Sequence, residues 1–337
     1  MRTFACACGQ RVYFENHRCE ACGAALGFDP DAGAVRTLDE RSDGVLFARG
    51  GGAFRRCANA AAADCNWLVP EGAPAGALCR SCALSRRIPD LDAPENRAPW
   101  RAAEAAKRRL LYALLRLRLP FETGGDALVF EILADAAEPE PVLTGHASGL
   151  VTLNLAEADP VERARRRAGL GEAYRTLLGH FRHEVGHFYW DALVRDGGRL
   201  DAFRARFGDE RADYAAAMDR HYTNGPPPDW PAAFVSAYAT MHPWEDFAET
   251  FAHYLHIVDA LDTAAAAGLG VAGAPPIPQD PYRAADMETL VAAWLPLAAA
   301  VNSLNRSLGQ DDLYPFVLAR PAIEKLGFVH DLVAARA

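Results

Sequence analysis

Apolar positions along the chain follow two different periods, and these predict most of its elements. From Trp100 to Leu119 (WRAAEAAKRRLLYALLRLRL) they recur at helical spacing, with Arg and Lys on the other face and Pro120 beyond the end. Two strands are predicted next, an apolar run at Leu128–Leu133 (LVFEIL) and an alternating one at Gly149–Leu155 (GLVTLNL). The helical period then returns near Glu172 and runs past Trp190, stopping before Gly197-Gly198. Tyr174, Leu177, Phe181, Val185, Phe188 and Tyr189 fall on its apolar face. Helices also fit Leu200–Phe207, Ala232–Met241 and Pro243 to about Ala266, with a break at Gly225-Pro226-Pro227-Pro228-Asp229. A Gly/Pro loop reaches Pro281, and the C-terminal part is helical in pieces. The expected class is α+β: a mainly helical domain with a small sheet.

Cysteine changes this picture at the N-terminal end. All eight Cys lie in the first 82 residues and none in the remaining 255. The spacings are Cys6-x-Cys8 with Cys19-x2-Cys22, and Cys57-x7-Cys65 with Cys79-x2-Cys82. Each quartet ends in a CxxC pair, which sets two thiolates beside one tetrahedral ion while the other pair completes the site. Gly9 and Gly23 suit the tight turns that follow such thiolates. Two structural zinc ions, in zinc-ribbon modules, are therefore expected, with the grouping of the eight thiolates open to interleaving. In segments this poor in apolar residues, metal binding would supply much of the folding energy. The chain thus divides into a zinc-ribbon region, 1–90, and a second domain, 100–337, joined by a Pro-, Asp- and Arg-rich linker over 86–99.

The N-terminus has no apolar run of signal-peptide length, and no 18-residue apolar stretch occurs. A reducing, cytoplasmic location and no membrane partner are the expectation, which disfavours disulfides. The formal net charge is −9. An acidic chain whose basic runs are short gives no support to nucleic-acid binding, although the ribbons would be the place for it.

The chemistry concentrates further on. His183-Glu184-Val185-Gly186-His187 is an HExxH motif. On a helix, residues four apart share a face, so both imidazoles can reach one metal, and Glu184 can take a proton from the water that this metal activates. Downstream, the helix around Glu245 and Glu249 presents two carboxylates one turn apart. One can complete the metal site while the other hydrogen-bonds a ligating His and fixes its tautomer.

HEVGH followed 58 residues later by E-x-F-A-E-x-F resembles the gluzincin metallopeptidases, specifically those of the anthrax lethal factor type, over about Gly179 to Leu255. Those enzymes carry a Tyr-Ala pair seven residues before the ligating Glu, and Tyr238-Ala239 stands seven before Glu245. The resemblance makes His183, His187 and Glu245 the ligands of one catalytic zinc, and Glu184 the general base. It makes Glu249 the partner of a ligating His, and Tyr238 a donor to the oxyanion. Asp246 stands where those relatives have an aromatic residue, and nothing here resembles the toxin's other domains, so its substrate choice is not implied. The Cys-rich start, GHFRHEVGHFYWD and HPWEDFAETFAHYLH together resemble a bacterial family of zinc-binding metallopeptidases with an N-terminal zinc ribbon, over nearly the whole chain.

The resemblance implies zinc-dependent hydrolysis of a peptide or protein substrate, with Gly149–Leu155 as the edge strand that pairs with an extended peptide. The alternative is a non-catalytic or regulatory zinc-ribbon protein that binds a protein or nucleic-acid partner. The intact Glu184 favours the enzyme.

Overall fold

The computed structural model describes residues 1–138, 140–170 and 175–335, and its architecture is α+β. Contacts divide it into two compact units. One comprises 1–116, 129–145 and 152–163, the other 117–128, 146–151 and 164–337.

The first unit begins with a short hairpin, β1 (Phe4–Ala5) and β2 (Arg11–Val12). An antiparallel five-stranded sheet follows: β3 (Ala25–Asp29), β4 (Ala34–Glu40), β5 (Leu46–Ala48), β6 (Ala53–Arg56) and β7 (Leu68–Pro70), in sequential order. Leu38 opposes Ala48 in the β4–β5 register and packs with Leu46 and Leu68 into a small core. The N-terminal region therefore folds partly on apolar burial, beside the metal expected to supply much of its folding energy.

The expected linker over 86–99 is not one. Ser85–Arg87 forms β8, and Pro94–Arg116 forms α1, six residues earlier than expected. Proline at the first helical position lacks only an N–H that would be unbonded anyway, and its φ suits the helix. Asn96 Nδ2 and Arg97 Nε donate to the carbonyls of Asp90 and Leu91, which anchors this start. On α1, Lys107 and Glu104 form a wholly buried ion pair of 2.8 Å, and Ser85 Oγ donates to the same carboxylate. Tyr112 joins Phe14, Phe28 and Trp67 in an aromatic cluster.

The chain continues through a hairpin, β9 (Glu122–Thr123) and β10 (Asp126–Ala127), to β11 (Val129–Leu133), β12 (Gly145–Ala147) and β13 (Leu150–Asn154). A four-stranded sheet has the order β12-β13-β11-β8, with β11 parallel to β8. This corrects one expectation. The strand expected at Gly149–Leu155 is β13, which is flanked on both sides, so its backbone is already paired. The edge is β12.

Helix α2 spans Pro160–Leu170. The expected helix start near Glu172, with Tyr174, lies outside the described residues. Helix α3 (Leu177–Tyr189) is capped by Thr176, whose side chain accepts from Gly179 N, and passes into a π-helical turn over Trp190–Arg195. Helices α4 (Leu200–Phe207), α5 (Tyr214–Asn224), α6 (Pro243–Ala267), α7 (Met287–Ser307) and α8 (Arg320–Ala334) complete the second unit. The helix expected over Ala232–Met241 does not form. Only 3-10 turns occur there, at Trp230–Ala232 and Tyr238–Thr240. Ser236 explains part of this, because its hydroxyl binds Ala239 N and competes for backbone that a helix would use.

The core of this unit is aromatic. Tyr189 of α3 stacks on Phe251 of α6, with ring centroids 5.1 Å apart, and Phe207 touches Phe247 and Phe328. Gly186 sets the α3–α6 separation: a Cβ there would lie 2.8 Å from Ala248 Cα. By length and composition alone α7 could cross a membrane, but it buries one face inside the protein, including Leu290, Trp294 and Leu297.

Candidate metal centres and active site

Among the described residues three groups of donor atoms converge, each within 4.8 Å. Two are the quartets Cys6, Cys8, Cys19, Cys22 and Cys57, Cys65, Cys79, Cys82, which do not interleave. All eight are free thiols. Sulfurs at zinc–thiolate distance around a tetrahedral ion lie about 3.8 Å apart. The observed Sγ–Sγ distances fit: 3.6 Å for Cys6–Cys22, 3.7 Å for Cys8–Cys19, 3.6 Å for Cys65–Cys79 and 3.8 Å for Cys82–Cys65.

The third group is His183, His187 and Glu245. The 3.6-residue period of α3 puts the two imidazoles on one face, and the α6 start brings Glu245 to them. His183 Nε2 lies 3.0 Å from Glu245 Oε2, and His187 Nε2 lies 3.4 Å from Oε1. Nitrogen and oxygen ligands of tetrahedral zinc are about 3.3 Å apart, so this donor set also fits. Glu245 is the third residue of α6, where the helix dipole favours a negative charge. It is 1% exposed. Burial opposes its charge, yet His187 and His183 hold its pKa well below the usual carboxylate range. Likewise burial works against a charged His183, and Glu245 and Glu249 hold it well above its ordinary value. A buried carboxylate facing two imidazoles is a place suited to a cation.

Around these donors the side chains are tethered. Glu249 Oε1 lies 2.6 Å from His183 Nδ1, and Ser236 Oγ donates to Glu249 Oε2 at 2.6 Å. With its proton on Nδ1, His183 turns Nε2 toward Glu245. The half-buried Glu184 sits between the two His in sequence, and burial raises its pKa. The Tyr238 ring lies 5.9 Å from that of His183, and burial and Glu245 push its phenol pKa up. The His187 ring lies tilted against Trp244, with centroids 3.8 Å apart, and His146, on β12, stacks on His187 at 6.0 Å.

Asp246, the departure from the lethal-factor pattern, turns away from the imidazoles. It pairs with Lys325 of α8 at 2.6 Å, and that ammonium lies over the Phe234 ring. Two residues of the site were absent from the sequence reading. Ser236 carries no spacing signature. Tyr214 donates to Glu245 Oε1 at 2.9 Å from 31 residues away. A polar aromatic directly after a capping Asp was its one visible signal.

A family model described as "Putative zinc-binding metallo-peptidase" matches residues 96–332, and one described as a zinc-ribbon domain matches residues 3–93. Uncharacterized proteins of Mycobacterium bovis and Mycobacterium tuberculosis are each 46% identical to this chain over 340 residues, covering 99% of it and 95% of their own length. No solved structure matches it.

Proposed function

We propose that this chain, which belongs to the zinc-binding metallo-peptidase family and carries an N-terminal zinc-ribbon domain, hydrolyses peptide bonds as a cytoplasmic, gluzincin-like enzyme. The convergence of His183, His187 and Glu245 beside Glu184 carries this reading. Three zinc ions per chain belong to it, two structural on the Cys quartets and one catalytic. So does a division into a ribbon region, 1–90, and a peptidase domain, 100–337.

A zinc ion held by His183, His187 and Glu245 would supply Lewis acidity, to polarise the scissile carbonyl and acidify a water. Glu184 takes the proton of the attacking water and passes it to the leaving amine. Glu249 keeps the Nδ1–H of His183 occupied, so that Nε2 faces the cation. Tyr238, kept protonated by burial and Glu245, donates a hydrogen bond to the developing oxyanion. β12, not β13, is the edge strand near the imidazoles on which an extended substrate can pair, since its His146 lies 6.0 Å from His187.

The test is Glu184→Gln. The variant should keep three zinc ions and lose cleavage of a peptide library that the parent chain cuts. Cleavage at the parent rate would remove Glu184 from the mechanism. A parent chain that held two zinc ions, lost neither on His183→Ala, and cut nothing would sink the enzyme reading altogether.

A further inference from the structure

We infer that Tyr214 is a positioning residue for the catalytic zinc, acting through Glu245; this rests on the reading just given. The phenol donates to Glu245 Oε1 at 2.9 Å. The other oxygen, Oε2, is buried and faces His183 Nε2 at 3.0 Å, on the side where the three candidate ligands converge. A carboxylate held by a phenol on one oxygen offers the other to a cation. Tyr214 thus selects Oε2 as the ligating atom and stops the carboxylate from rotating.

The sequence builds this contact from two capped helix starts. Asp213 caps α5, its side chain accepting from Ala216 N at 3.0 Å, which makes Tyr214 the first helical residue. His242 caps α6: its Nδ1 accepts from Trp244 N, so its Nε2 carries the proton and donates to Ala212 O at 3.0 Å. One imidazole therefore ties the residue two before Tyr214 to the residue three before Glu245. The Tyr214 ring is wedged against His242, with centroids 5.3 Å apart, and against Trp244 at 6.1 Å. Trp244 in turn packs, tilted, against the His187 ring. The phenol is held in place by packing that does not need its hydroxyl.

That separation makes the test clean. Tyr214→Phe removes the hydroxyl and keeps the ring. The readout is the affinity of the full-length protein for the zinc ion that His183→Ala loses, measured by competition with a chromophoric chelator. Loss of such an outer partner should weaken that zinc by about 10- to 100-fold. The thermal midpoint of the zinc-saturated variant should stay at the parent's value. Tyr238→Phe is the contrast: its phenol also reaches the Tyr214 hydroxyl, so it should lower kcat and weaken this zinc less than Tyr214→Phe does. Parent-like zinc affinity in Tyr214→Phe would overturn the inference and leave the peptidase reading standing. The same result in a parent chain that binds only two zinc ions would remove both.

Discussion

Glu249 is held from two sides, by His183 Nδ1 and by Ser236 Oγ, each at 2.6 Å. Its carboxyl pKa is lowered to about 2: burial works against the charge, and the contacts with His183 outweigh it. A carboxylate so placed fixes the imidazole tautomer, and removing it frees the ring to rotate. Glu249→Ala should weaken zinc binding at His183, His187 and Glu245 by roughly 10- to 100-fold and leave zinc on the Cys quartets in place. Ser236→Ala should do less, since Glu249 still reaches His183. Zinc content after dialysis against graded chelator separates the two, and parent-like retention in Glu249→Ala would remove this role. At this scale the sequence was readable wherever two partners share a helix face. His183 with His187, and Glu245 with Glu249, follow from a four-residue step. Ser236 and Tyr214 were not readable, because each reaches α6 from an irregular segment or another helix, and no period links such positions.

Helices α3 and α6 carry all three candidate ligands, so their separation sets the site. Gly186 lies between the two His of the motif, where a side chain would meet the α6 backbone. The clash is with Ala248 Cα at 2.8 Å, and a main-chain atom cannot step aside as a flexible side chain can. Gly186→Ala should therefore cost about 1–3 kcal/mol of stability as an overpacked contact. It should also move Glu245 and Glu249, which flank Ala248, away from His183. Helix propensity alone favours Ala over Gly by about 1 kcal/mol, so an isolated helix would be stabilised by this change. Denaturant unfolding of the variant decides between these opposite signs. Both helices were legible as elements because each is long and amphipathic. The segment before α6 was not, because a short apolar run with one Ser reads as helix until its hydroxyl is seen to bind backbone. The five-stranded sheet was missed for a related reason. Its strands are three to seven residues long and its core is small. Asp43-Gly44, between β4 and β5, was a usable hairpin signal.

Across the whole molecule the spacing of Cys predicted the two quartets, while the exposure of each thiol depended on packing that spacing does not encode. The two quartets have the same ligands and different surroundings. In the first, Cys8 and Cys22 are exposed. In the second, every thiol is buried, at most 2% exposed. Backbone N–H groups also point at its sulfurs: Cys79 N and Asn59 N lie 3.3 and 3.4 Å from Cys57 Sγ, and Cys82 N lies 3.5 Å from Cys79 Sγ. Such hydrogen bonds favour the thiolate that zinc requires. A thiol reagent must reach sulfur to displace the ion, so accessibility sets the rate. Graded alkylation or mercurial treatment should release zinc in steps, and mass spectrometry of each step should find Cys8 and Cys22 modified first. Cys57, Cys65, Cys79 and Cys82 should react only as the fold opens, so mild denaturant should speed their step and leave the first nearly unchanged. Equal rates at both quartets without denaturant would mean that burial does not protect the second ion. If the order holds, the first ribbon can lose its metal while the second stays folded, since a buried four-thiolate site is lost only together with the packing around it.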